Sequence, residues 1–382
     1  MKPIRHFLSH QHLDRPQLAL LEDDMRRRGL LSWRDRKDQH LGAPTDPAVE
    51  EAIKKGTDGF ALYGSPNVLK SWYVWNREWP PAYLRHQAER DAGQAVPYPL
   101  TPIFVGIEPE DLKQAAIDQG AVMPNPFNGE RLVAADPASR RAVARGLLRV
   151  ALARRCATST RPLRLHLTTF GFADDHEGDL VVDWTDDFAG PAVPWAELIA
   201  ARDDLKQELA RTSHPLELTV QGRLVPAFVF GHAFPRAAGI QLAIGRHRWQ
   251  VGMDGDSSVV ACSTEARSGD GRAAAVLVSL ARQVDVAAEQ AIAALPNGVG
   301  RVVRIGLTDS VREVDAEVAA AASQTFGQVL RDLSDTGVRD VHLFIAAPTE
   351  LAMLMGSAIN AGPAITLYHR LDGLYTPSVQ LG

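Results

Sequence analysis

The first third of the chain alternates short apolar runs with helical patterns, an order that favours a parallel sheet covered by helices. Ile4 to Leu8 reads as a strand and passes through Ser9-His10 into a helix whose apolar positions Leu18, Leu21 and Met25 follow helical spacing. Pro16 sits where an early helical proline is tolerated, and Gly29 closes that helix. Leu30 to Trp33 is the second strand, Asp46-Pro47 opens the next helix, Gly59 to Tyr63 is the third strand and Leu100 to Val105 the fourth. Such a β-α-β-α order puts ligands at the carboxyl ends of the strands. The residues that fall there are Ser9-His10, Trp33-Arg34-Asp35 and Ser65-Pro66-Asn67, followed by the helix that carries Glu78.

Within Lys70-Ser-Trp-Tyr-Val-Trp-Asn-Arg-Glu78, helical spacing would set Ser71, Trp75 and Glu78 on one face. A lone carboxylate among tryptophans suits a cationic transition state; a surface Glu on an amphipathic helix fits the same letters. No G-x-G-x-x-G or Walker phosphate loop is present, which argues against a Rossmann dehydrogenase or a P-loop enzyme. Cys156 and Cys262 are the only cysteines, too few for a disulfide framework or a Cys-based zinc site, and no metal is expected. A net charge of −5 argues against a broad surface for long nucleic acid, though it leaves room for one small nucleotide. No apolar run is long enough to span a bilayer, and Met-Lys-Pro-Ile-Arg-His lacks the core of a secretion signal, so the expected address is the cytoplasm.

Six motifs in order, Phe7-Leu-Ser-His10, Leu20 to Leu30, Trp33-Arg-Asp35, Glu51-Ala-Ile53, Tyr63-Gly-Ser-Pro-Asn67 and Ser71-Trp72…Glu78, resemble a TIR domain. The resemblance covers roughly residues 1–130 and implies a flavodoxin-like parallel sheet. It implies either NAD⁺ cleavage or homotypic scaffolding. In the NAD⁺-cleaving branch the glutamate of the helix after the third strand is catalytic, and Glu78 holds that position. NAD⁺ is then substrate rather than cofactor, and no cofactor is expected. The residues expected to touch it are Ser9, His10, Trp33, Arg34, Asp35, Asp38, Ser71, Trp72 and Trp75. Trp33 and Trp72 would stack on its rings and Arg34 would sit near its phosphates, although core packing competes for Trp33. The loop from about Asp38 to Pro47 matches one that controls access to the site and pairs neighbouring subunits. Ser9 is followed by His10-Gln11-His12, where the family has Ser-Ser or Ser-x-x-Asp.

Asp136-Pro137 caps a long helix rich in Ala, Leu and Arg, read as a connector over 131–156. From 157 to 382 the chain reads as two unequal halves of related architecture. The first has strands at Leu163 to Thr169, Leu180 to Asp183, Leu216 to Val220 and Ala227 to Phe230, with a hairpin from Ile240 to Val251. The second has Val302 to Leu307, a helix from about Ser310 to Ser334, Val341 to Ala346, another helix, and Ala364 to Tyr368. Val341-His-Leu-Phe-Ile-Ala-Ala-Pro348, Leu354-Met-Gly-Ser-Ala-Ile-Asn360 and Leu367-Tyr…Leu374-Tyr-Thr-Pro377 resemble the end of a SAVED domain, which is similar to two fused CARF-like units. That implies a cyclic oligonucleotide, a trinucleotide such as cyclic tri-AMP first, held between the halves.

The expected contacts are Phe170, Phe172, Gly231, His232, Phe234, Trp249, Thr308, Asp309, Ser310, Ala347, Pro348, Thr349 and Tyr375. Helix starts at Ser310 and Thr349 would offer N–H groups to phosphates, and Phe234, Trp249 and Tyr375 would offer rings to bases. The tip Arg246-His247-Arg248 adds charge, but solvated hairpin tips are common. Together the two resemblances imply an antiphage effector of the CBASS type. The messenger would stack sensor domains head to tail into filaments, and neighbouring TIR domains would complete each other's site, releasing nicotinamide and linear or cyclic ADP-ribose. The alternative is a non-enzymatic TIR scaffold recruited by the nucleotide. A deoxyribosyltransferase-like enzyme shares the fold and single glutamate, and the sensor-like half disfavours it.

Overall fold

In the computed structural model, strands β1 (Arg5–Ser9), β2 (Leu31–Trp33), β3 (Gly59–Gly64), β4 (Leu100–Phe104) and β5 (Glu130–Arg131) form one sheet in the order β2-β1-β3-β4-β5. The structure describes residues 2–33, 45–124, 129–171, 173, 176–190, 192–235, 242–244, 247–249, 255–308, 314–359 and 361–382. Every pairing in this sheet is parallel, with His6 opposite Gly59 and Ser9 opposite Leu62. The expected flavodoxin-like sheet is therefore present. In that strand order the chain reverses its winding between β1 and β3, and the crevice at their carboxyl ends is the natural ligand site.

Helices α1 (Arg15–Arg26), α2 (Thr45–Glu51), α3 (Trp79–Asp91), α4 (Pro109–Asp118) and α5 (Pro137–Thr158) belong to the same unit. Gly29 ends the α1 segment at φ +86°, a left-handed turn that glycine takes without a side-chain clash. Phe7, Phe60, Trp33, Trp75 and Trp79 form the aromatic centre of the core, with Phe7 and Phe60 stacked at 5.4 Å. Asp136 caps α5 by accepting from the amides of Ala138 and Ser139. The arginines of α5 then grip acids around it: Arg140 to Asp24, Arg141 to Asp204, Arg145 and Arg149 to Glu208, and Arg154 to Glu89. Asp204 is fully buried and is also held by Arg28, itself 2% exposed.

The chain divides into two units by contact: residues 1–165, 172–184 and 200–214 in one, and 166–171, 185–199 and 215–382 in the other. Strand β6 (Leu163–Thr168) and helix α6 (Trp195–Ala210) each begin in one unit and end in the other, while β7 (Leu180–Asp183) lies in the first. The second unit continues through β8 (Leu216–Gln221), α7 (Leu224–His232) and the antiparallel ribbon of β9 (Leu242–Ile244) with β10 (His247–Trp249). Then come β11 (Val260–Ala266), β12 (Ala273–Ser279), α8 (Asp285–Ala293), β13 (Arg301–Leu307), α9 (Ala316–Asp335), β14 (Asp340–Ala346), α10 (Thr349–Ser357), β15 (Ala364–Leu371) and β16 (Leu374–Leu381). Six of these strands form one sheet, β11-β13-β12-β14-β15-β16, with parallel pairing inside and an antiparallel strand on each edge.

Several expectations need correction. Ala227 to Phe230 is helix, not strand: the run from Val225 to Gly231 is buried all round, and a wholly buried helix shows no amphipathic period. Gly231 packs α7 against α10, where a Cβ would stand 2.0 Å from the Met353 carbonyl oxygen. The described part of the helix expected from Ser310 starts at Ala316, with Asp315 capping the Val318 amide. Strands β11 and β12 had no counterpart in the sequence reading. No described helix is long and apolar enough to cross a membrane.

Candidate functional site

At the carboxyl end of β1, the Ser9 hydroxyl donates to Glu78 Oε2 at 2.5 Å. Both are buried, Ser9 fully and Glu78 to 5% exposure. A buried carboxylate is expensive unless a donor meets it, so this arrangement is specific rather than incidental. Glu78 reaches β1 because its helix is not regular. Residues Val74–Glu78 form a wide π-turn in which the Trp79 amide bonds back to Val74, five residues earlier. Pro80 and Pro81 follow at once; neither has an N–H, so the ordinary ladder cannot run through them. The extra residue breaks the shared face expected for Ser71, Trp75 and Glu78. Trp75 turns into the core and its indole N–H donates to the Val68 carbonyl, while Ser71 sits at the start of the segment with its hydroxyl 3.5 Å from the Val74 amide.

The neighbouring strand end is equally organised. Asp14, buried at the start of α1, accepts from Ser65 Oγ and from Asn67 Nδ2, each at 2.6 Å. Ser65 in turn accepts from the amides of Asn67 and Val68. Burial and then the Asp14 charge push the Tyr63 phenol up to about 12, so it stays neutral. The loop joining β3 to the Glu78 segment is thus tied to the β1–α1 corner.

Several expected substrate contacts fare differently. Trp33 is packed in the core, stacked on Phe7 at 4.8 Å, and has no face to offer a ligand; Trp75 likewise. Ser9 is sealed from solvent and cannot touch a substrate directly. His10 is half-buried with Nδ1 3.0 Å from the Leu8 carbonyl oxygen. Trp72 stays 57% exposed, with the Arg77 guanidinium 5.5 Å from its ring centre. Arg34, Asp35 and Asp38, with most of the access loop, lie outside the described residues.

The second unit holds an open cavity of about 350 Å³ at the carboxyl ends of β12, β14 and β15. Its rim carries Arg223, Arg282 and Arg370, its wall His369, Tyr368 and Phe188, and its floor Val225, Ile345 and Leu367. Arg223 precedes the first turn of α7, makes no side-chain cap there, and lies 5.6 Å over the Phe188 ring. The three arginines are exposed, so they hold charge at the mouth without needing protein partners to offset burial. Burial, followed by the Arg223 charge, holds His369 below its ordinary value and keeps it neutral at pH 7. Three guanidinium groups, a free helix start and aromatic surface suit a multiply charged phosphate ligand bearing flat bases.

None of the described residues expected to hold the nucleotide lines this cavity. Phe234 packs on Phe230 at 5.3 Å and Tyr375 against Phe344 at 5.2 Å, both in the core. Gly231 is committed to helix packing and neighbouring His232 closes α7; Phe170 is exposed on the turn after β6. Thr308 hydrogen-bonds the Val259 carbonyl, and Ala347 is buried beside Pro348, which precedes α10. Thr349 does begin α10, and its hydroxyl is spent on the Gly222 carbonyl. Phe172, Asp309, Ser310 and the Trp249 side chain lie outside the described residues. Sequence reasoning missed Arg223 because α7 passed for a strand, and Arg282 because Ala273-Ala-Ala lacks the β-branched signature of a strand. No group of three or more His, Cys, Asp or Glu among the described residues is placed to hold a metal.

Residues 200–381 match the family model of the SMODS-associated and fused to various effectors sensor domain, SAVED. No curated relative matches the sequence. Among solved structures, the Acinetobacter baumannii Cap4 SAVED/CARF-domain containing receptor with the cyclic trinucleotide 3'3'3'-cAAA is similar at TM-score 0.50 and 15% identity, covering 87% of this chain and 84% of that one. The same receptor with 2'3'3'-cAAA gives 0.49 at 15% identity, covering 87% and 83%. The Moraxella osloensis Cap4 receptor gives 0.41 at 15% identity, covering 96% and 98%. The family match over residues 200–381 and the fold likeness at TM-score 0.50 agree on a SAVED/CARF-like C-terminal domain.

Proposed function

We propose that this chain is an effector that cleaves NAD⁺ when a cyclic oligonucleotide binds its SAVED domain. The observation that carries the reading is the buried Ser9–Glu78 contact at the switch point of a flavodoxin-like sheet, on the same chain as a match to the SAVED sensor domain. Breaking the nicotinamide–ribose bond builds positive charge on the ribose, as glycoside hydrolysis does on a sugar. The Glu78 carboxylate stabilises that charge while nicotinamide leaves as a neutral molecule, so no general acid is required. Water, or the adenine of the same dinucleotide, then completes linear or cyclic ADP-ribose. A dry setting strengthens the carboxylate's effect on the cation.

The activating ligand belongs to the cavity ringed by Arg223, Arg282 and Arg370. The cyclic trinucleotide 3'3'3'-cAAA bound to the A. baumannii Cap4 receptor suggests the ligand class, and three guanidinium groups match three phosphates. Ligand-bound sensor domains stack head to tail, and adjacent TIR domains complete each other's access loops. The test is nicotinamide release by purified full-length chain against a panel of cyclic di-, tri- and tetranucleotides, with Glu78→Gln in parallel. Release with one cyclic trinucleotide, lost by about a thousandfold in Glu78→Gln while ligand binding and assembly persist, is expected. Assembly without release in the unsubstituted chain would make the domain a scaffold.

A further inference from the structure

The geometry points to Ser9 as the positioning residue of Glu78, a role that rests on the NAD⁺-cleaving reading above. Ser9 is the last residue of β1 and its backbone is fixed by pairing with β3. Its hydroxyl therefore stands at a set point, and from there it donates to Glu78 at 2.5 Å. The π-turn gives Glu78 an irregular backbone, so helix geometry alone does not define where its carboxylate goes. A hydrogen bond from a rigid strand end supplies that definition.

Two other roles for Ser9 fail on the same observations. As a substrate contact it would need an open surface, and it has none. As a nucleophile activated by Glu78 its oxygen would have to reach the ribose carbon, which its burial prevents. What remains is action through Glu78: the hydroxyl holds carboxylate oxygen Oε2 at the carboxyl end of β1.

The test uses the full-length chain saturated with its activating cyclic trinucleotide. Ser9→Ala lowers kcat for nicotinamide release by about ten- to a hundredfold and leaves the KM for NAD⁺ within about twofold. Ser9→Cys, similar in size and a weaker donor, falls between Ala and Ser and serves as the comparison if Ser9→Ala does not fold. In a Glu78→Gln background, Ser9→Ala has no further effect on the residual rate, because a residue acting through Glu78 has nothing left to act through. Unchanged kcat, a KM raised about tenfold with kcat retained, or additive losses in the double variant each overturn the assignment. An unsubstituted chain that releases no nicotinamide under any ligand instead removes the NAD⁺-cleaving reading, and Ser9's role with it.

Discussion

Both units contain a parallel sheet wound in the same order, yet they finish the same crevice in opposite ways. In the first, β2-β1-β3-β4 ends in a dry hydroxyl–carboxylate contact between Ser9 and Glu78. In the second, β13-β12-β14-β15 repeats that order and ends in an open cavity rimmed by three exposed arginines. A switch point offers a cleft, and the side chains set there decide its chemistry. The buried site holds one carboxylate on a strand-end hydroxyl, which suits the bond cleavage proposed above. The open site spreads charge over a wide mouth, which suits capture of a polyanion.

Removing the cations from the open site should give the largest effect. Arg223→Ala combined with Arg370→Ala weakens cyclic-trinucleotide binding by about a thousandfold in calorimetry, since each charge-assisted contact is worth roughly 1.5–3 kcal/mol. Affinity within threefold or so of the unsubstituted chain would move the ligand to another part of the SAVED domain.

The dryness of the first sheet has its own consequence. His6, on β1 beside Gly59, is fully buried; burial, opposed in part by the Asp58 charge, holds its pKa down at about 4. The unfolded chain titrates near the ordinary 6.5, so it binds more protons than the folded one between 6.5 and 4. His6's contribution is therefore complete above pH 6.5 and is lost as pH falls to about 4, a loss of about 3 kcal/mol. Urea unfolding followed by tryptophan fluorescence, with Trp33, Trp75 and Trp79 buried in that core, reports it. His6→Leu should flatten the slope across that window, and an unchanged slope would assign it to other groups.

A smaller effect should appear at the open site. His369 is neutral in the free protein because burial and Arg223 disfavour its charge. A bound phosphate reverses that balance, so binding takes up a proton and tightens a few-fold as pH falls from about 8 to about 6. His369→Gln should remove this dependence and leave most of the affinity, because the arginines stay charged throughout.

How much of this was legible in the sequence also differs between the two sheets. In the first, each strand is bounded by a polar or glycine-containing turn, and Leu18, Leu21 and Met25 keep helical spacing, so the order of elements could be read directly. Glu78 could be singled out for the same reason. Its meeting with Ser9 could not, because the π-turn over Val74–Glu78 takes in one residue more than a regular turn and rotates the face that regular spacing would give. Trp33 and Trp75 were expected to touch the ligand because aromatic residues serve cores and ligands alike; only packing separates the two. In the second unit the arginines come from separate segments, after β12, before α7 and within β15, and no local motif ties them together. A cavity assembled from distant points leaves little trace in a linear reading.

The most direct test is to titrate one cyclic trinucleotide into the full-length chain and measure ligand binding and nicotinamide release on the same samples, with the Arg223→Ala, Arg370→Ala double variant alongside. The account predicts no release without ligand and coincident midpoints for binding and release. Both midpoints should move together to about thousandfold higher ligand in the double variant. Release that proceeds without ligand, or that keeps its midpoint when the arginines are gone, would contradict it.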